Sequence, residues 1–240
     1  MNTECTQLAL DLQAAGGRLV VVKNDGQEIS SDGGLLVLAR MEERLQWIHR
    51  LGDCFLDGRQ SDRVVHGLEP MLRQMIFGLV QGYEDLNDHD LWRKDPLLAL
   101  ACGLEPYQEW GAGKSTLNRL QLGRDTGDRY KKISYDPQEI SRLLVELFLD
   151  WTGKAPEEIV LDFDASDIPL HGDQEGKFFH GYYDEYCYLP LFCFCGQFPL
   201  MAQLRMADRD ASHGVVTALE WMIPMIRARW PKTRIILRGD

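Results

Sequence analysis

Residues 159–164 read Ile-Val-Leu-Asp-Phe-Asp, and Ala165-Ser166-Asp167 follow; the fold turns on this stretch. Apolar and polar residues alternate with a period of two, the signature of a half-buried strand. On a strand, Asp162 and Asp164 share one face, opposite Leu161 and Phe163. Downstream, residues 186–195 and 198–204 read as a hairpin turning at Gly196. A helical stretch spans residues 214–229, with Pro224 in its interior predicting a kink. Residues 234–238 (RIILR) form a fourth strand. The order is therefore strand, hairpin, helix, strand. A helix joining two strands of one sheet makes a right-handed crossover and sets them parallel. The first and fourth strands can then lie side by side, with their C-terminal ends at one edge of the sheet. Open α/β folds bind ligands at such edges. Asp164 closes the first of these strands, and Gly239-Asp240 follow the fourth.

Upstream of this region the pattern is helical. Leu35, Leu38, Met41, Leu45 and Ile48 recur at helical spacing behind Ser31 or Asp32 as a cap. Val64 through Tyr83 carry a wide apolar stripe, with Pro70 predicted in the first turn of the regular helix. Residues 84–95 (EDLNDHDLWRKD) read as a charged, solvated loop holding His89. Pro96 opens a further helical run, and Ile140 to Trp151 make an amphipathic helix. Residues 18–23 (RLVVVK) are the one strand-like run in this half. The predicted class is α/β. A mostly helical N-terminal domain covers residues 1–152, and an α/β core follows over residues 153–240.

Composition excludes several classes. Hydrophobic residues make up 45% and charged residues 26% of the 240, as in a folded globular protein. No stretch has the form of a secretory leader or the length of a bilayer span. The six cysteines are scattered without a CxxC pair, so reduced core thiols of a cytosolic protein are expected in place of a zinc site. The net charge of −11 opposes binding to phosphate backbones. Local basic concentrations can coexist with that total, and Arg227, Arg229, Lys232, Arg234 and Arg238 form one. Residues 111–116 (GAGKST) imitate a phosphate-binding loop, but position 108 is Gln where the pattern needs Gly. A helix cap at Ser115 or Thr116 is the expectation there.

Two carboxylates meeting at Asp164 and Asp240 would repel unless a cation joined them or one held a proton. Hard oxygen donors suit Mg²⁺ or Mn²⁺. An aspartate at a strand end is also a common turn former, and for either residue alone that reading is the ordinary one. Taken with the inferred strand order, the two readings stand level.

The stretches LDFDASDIPLHG (161–172), QEGKFFHGYY (174–183), YCYLPL (186–191) and IILRGD (235–240) together resemble bacterial insertion-sequence transposases of the DDE group. Residues 73–90 (RQMIFGLVQGYEDLNDHD) resemble the helical N-terminal region of the same transposases. The resemblance implies an RNase H-like core, here running only through strand, hairpin, helix and strand. It implies Asp164 and Asp240 as the first two catalytic, metal-binding acids. A two-metal site for Mg²⁺ or Mn²⁺ is implied in the complete enzyme, with transposon ends and target DNA as partners. It allows a homodimer of the full-length protein and implies a bacterial cytoplasmic, nucleoid-associated location, with no membrane role. The family's catalytic Glu lies beyond the second Asp, and the sequence stops at Asp240. A truncated copy or fragment without strand-transfer activity is thus expected. The rival reading is a non-catalytic DNA-binding or dimerising remnant; a further rival is an RNase H-like nuclease unrelated to transposition.

Overall fold

A computed structural model of the chain describes residues 30, 32–125, 127 and 129–239, together with the backbone of two short paired strands, β1 (Gln13–Ala14) and β2 (Arg18–Leu19). The rest of the run expected at residues 18–23, and the expected cap Ser31, lie outside the described residues. The chain divides into two compact units, Met1–Asp136 and Pro137–Asp240.

The first unit is helical. α1 (Leu35–Leu45) and α2 (Trp47–Asp53) lead into the short strand β3 (Phe55–Asp57). α3 (Leu68–Gln81), α4 (His89–Trp92), α5 (Pro96–Ala101) and α6 (Lys114–Gln121) follow. β4 (Ile133–Tyr135) then pairs antiparallel with β3. The apolar stripes converge on one core that includes Leu35, Ile48, Met71, Phe77, Leu98 and Leu117. α3 starts at Leu68, so Pro70 falls in its first turn, where a missing N–H costs no helical bond. Asp95 caps α5 by accepting the N–H of Leu97 at 2.7 Å. Asp32 does not cap α1 with its side chain. Its carboxylate is buried and accepts the Tyr83 hydroxyl (3.1 Å) and the Trp92 indole N–H (2.9 Å).

Of the stretch expected to be solvated, Glu84, Asp85, Asn87, Asp88 and Lys94 are exposed, but His89 is folded inward. His89 is 2% exposed, lies 3.3 Å from Gln74 and meets Trp92 edge-on. Gly78 leaves it room: a Cβ there would stand 2.7 Å from the imidazole. The Gln74 side chain grips the backbone of Ala112 with both ends, at 2.9 and 2.7 Å.

The second unit is a mixed sheet with helices. α7 (Pro137–Thr152) precedes β5 (Glu158–Ala165). β6 (Ile168–Pro169), β7 (Phe178–His180) and β8 (Glu185–Tyr188) form a small antiparallel sheet in the order β6-β8-β7. β9 (Leu191–Cys195), β10 (Phe198–Gln203), α8 (Val215–Arg229) and β11 (Arg234–Gly239) complete the unit. The main sheet runs β10-β9-β5-β11, with β11 parallel to β5 and the other pairs antiparallel. Alternation along β5 sends Ile159, Leu161 and Phe163 into the core with Val145, Phe148, Met222 and Trp230. α7, which the sequence reading places in the first domain, lies against β10, with Phe148 and Phe198 rings 5.4 Å apart.

Two details depart from the sequence expectation. The single strand expected over residues 186–195 is two strands in different sheets, parted at Leu189-Pro190. Pro190 has no N–H to give to a ladder, and Leu189 turns its backbone to Arg205 instead, at 2.9 and 2.8 Å. α8 continues as helix through Pro224.

Candidate active site

β5 and β11 run in register from Arg234 opposite Glu158 to Gly239 opposite Phe163. On the face away from the core, charges oppose each other in pairs. Arg234 forms an ion pair with Glu158. Arg238 stands opposite Asp162 and holds it with two N–H groups, one at 2.9 Å to Oδ1 and the other to Oδ2. These bonds keep the Asp162 carboxyl below the usual carboxylate range. Both of its oxygens are engaged, so Asp162 fits a metal poorly.

Asp164 lies on the same face two residues on and differs in its neighbours. It is exposed, and its cross-strand partner on β9 is Phe192. Its described hydrogen bond is from the Ser166 hydroxyl to Oδ2, at 3.1 Å. A solvent-facing carboxylate beside a hydroxyl offers hard oxygen donors, which suit Mg²⁺ or Mn²⁺. The second acid singled out in the sequence, Asp240, lies outside the described residues. Among the described residues, no three His, Cys, Asp or Glu stand together as a metal cluster.

Sequence reasoning missed the neighbours of Asp164. Tyr183, in the turn between β7 and β8, feels the charges of Asp167 and Asp164. Burial first, and then Asp167, Tyr182 and Asp164, push its phenol above the ordinary tyrosine range. The phenol therefore stays protonated beside the carboxylates and can donate a hydrogen bond. Asp167 and Tyr183 both stand in the quoted stretches, but the folding of the chain between them is what brings the phenol within range of the charge. His180 lies against the Tyr183 ring, 5.0 Å away.

The imitations resolve plainly. The GAGKST stretch starts α6 with Gly113 at its N-cap; Ser115 and Thr116 lie within the first turn, and Asp90 accepts the Lys114 N–H at 3.1 Å. Burial pushes the thiols of Cys102 and Cys193 up to about 12, so neither supplies a thiolate near neutral pH.

A mixed sheet whose central strand ends in an exposed carboxylate, flanked by a parallel edge strand, defines an α/β protein. The chain belongs to the DDE transposases: the family described as "Transposase DDE domain group 1" matches residues 12–240. Comparison with curated proteins and with solved structures returned no match. Among the described residues, no helix is long and apolar enough to cross a membrane.

Proposed function

We propose that this chain carries the first part of an RNase H-like catalytic core that cuts and joins DNA with divalent metal, using Asp164 and Asp240 as its first two acids. One observation carries the reading: the parallel β5–β11 register reaches Gly239 opposite Phe163. One further step of that register would set residue 240 opposite Asp164. The strand order β10-β9-β5-β11, antiparallel except for its last pair, supports the RNase H-like assignment.

In this reading the Asp164 carboxylate and the Asp240 side chain hold Mg²⁺ or Mn²⁺. Such ions would supply charge stabilisation for a phosphodiester displacement. Ser166 orients Asp164 through its hydrogen bond. Arg238 neutralises Asp162, so negative charge concentrates at Asp164. The partners are transposon ends and target DNA, with the helical first unit contributing end binding. A homodimer of the full-length protein and a place on the bacterial nucleoid go with this reading.

A second reading is a transposase remnant that binds DNA or dimerises without cutting it. It is favoured by the engagement of Asp162 with Arg238, which leaves the strand end short of acids for two ions. Mn²⁺ titration by electron paramagnetic resonance, followed by a cleavage assay, separates the two. The 240-residue polypeptide should bind Mn²⁺, and Asp164→Asn or Asp240→Asn should each weaken binding about tenfold or more. Metal-dependent cleavage of duplex DNA that Asp164→Asn abolishes would favour the catalytic reading. Mn²⁺ affinity indifferent to both substitutions would overturn the catalytic reading.

A further inference from the structure

A chain of net charge −11 can hold DNA only through a local basic surface. Residues 114–132 (KSTLNRLQLGRDTGDRYKK) form one such run; the shorter one at residues 227–238 pairs Arg229, Arg234 and Arg238 with Asp150, Glu158 and Asp162. In the longer run, Lys114, Arg119, Arg124, Arg129, Lys131 and Lys132 stand against Asp125 and Asp128 alone. The structure shows how α6 uses the start of this run. Leu117 and Leu120 are buried in the core of the first unit, while Ser115, Asn118, Arg119 and Gln121 are exposed. No Asp or Glu occurs from Lys114 to Arg124. A helix face that serves only solvation usually mixes both signs; this one carries only cations, amides and a hydroxyl. A cavity of about 550 Å³ adjoins it, lined by Lys114, Ser115, Asn118 and Gln121 of α6 and by residues 84–87, Glu84 and Asp85 among them. Lys114 bonds to Asn87 at 3.0 Å, which fixes the start of the helix. Tyr130, beyond the helix, is 79% exposed beside the Arg129 guanidinium.

We infer that α6 is the element that reads duplex DNA, lying in the major groove with Asn118 and Gln121 at base edges and Arg119 at the backbone. The inference rests on the transposase reading above and adds to it the surface that recognises the DNA. An α-helix with its side chains is about 10–12 Å across, which fits a major groove about 12 Å wide. Asn and Gln pair with both edge groups of adenine, so they carry sequence preference. Arginine at a phosphate carries affinity without preference. The carboxylates lining the cavity repel phosphate, so the DNA backbone passes on the Arg119 side.

The test uses the 240-residue chain and a random pool of 30-base-pair duplexes, from which bound duplexes are enriched and then measured by fluorescence anisotropy. Arg119→Ala should weaken binding to enriched and random duplexes alike, by about fivefold, and flatten the salt dependence. Arg119→Lys should restore most of the loss. The double change Asn118→Ala with Gln121→Ala should weaken the enriched duplex by about tenfold or more and leave the random pool nearly unchanged. Arg44→Ala, the same loss of charge on exposed α1, serves as control. All of these side chains are exposed, so the circular dichroism melts should coincide. If duplex is bound but α6 variants match wild type, or Arg44→Ala loses as much as Arg119→Ala, the surface assignment falls while the transposase reading stands. If no duplex binds at low salt, both fall.

Discussion

Asp162 and Asp164 are two residues apart on one face of one strand, yet the sheet gives them different chemistry. The parallel register puts a guanidinium opposite Asp162, whereas on the antiparallel β9 side both acids face a phenylalanine, Phe194 and Phe192. The paired carboxylate has a pH signature with a definite sign. Its folded pKa is depressed by Arg238, so its contribution is present above the ordinary aspartate range and is lost as pH falls through the lower folded value. Asp162→Asn should therefore lower the melting temperature slightly at pH 7, because an exposed pair contributes little. That difference should vanish in melts below roughly pH 3. A constant difference down to that pH would mean the ion pair adds nothing. Asp164→Asn should leave the melting curve nearly unchanged, since its side chain is exposed and no described cation pairs with it.

The corner between α3 and α4 shows how close packing overrides propensity. In a free helix, Gly78→Ala would gain about 1 kcal/mol. Here the new methyl would meet the His89 ring at 2.7 Å, with Trp92 at 3.2 Å behind it. Overpacking of this kind costs roughly 1–3 kcal/mol, and the neighbours are buried rings without room to swing away. Net destabilisation of about 1–2 kcal/mol is expected from urea denaturation; a more stable variant would refute the contact. The same histidine makes the corner sensitive to acid. Burial lowers its pKa, so the stability it supports is intact above the ordinary histidine value of 6.5 and declines as pH falls below it. His89→Gln should flatten the pH dependence of unfolding on that side.

Each compact unit has its own apolar core, and truncation in one should be felt there first. Leu161 at the centre of the sheet and Leu117 on α6 are both fully buried, at 0% exposure. Leu→Ala at such sites costs about 2–5 kcal/mol through lost transfer energy and the cavity left behind. Hydrogen exchange should resolve the two. Leu161→Ala should speed exchange most in β5, β9 and β11, and Leu117→Ala most in α3, α5 and α6. The opposite pattern would mean that the cores are assigned to the wrong elements. The uneven charge belongs to this level too. Basic runs at residues 114–132 and 227–238 stand within an acidic chain, and the outer face of the main sheet carries carboxylates with their arginine partners.

Local periodicity was enough to find β5, α7, α8 and β11 and to infer that β5 and β11 are parallel neighbours. Strand and helix periods are set by residues two to four apart, and a right-handed crossover leaves few arrangements. Asp164 was legible as a strand-end acid for the same reason. Folding back of the chain was needed for the rest. Arg238 neutralises Asp162 from 76 residues away. His89 is buried within a segment whose composition reads as solvent-facing, and Tyr183, in the turn of a separate small sheet, feels the charge of Asp164. No local pattern encodes such contacts, because each depends on the register and packing of elements distant in sequence, and a shift of one residue in that register would exchange every partner.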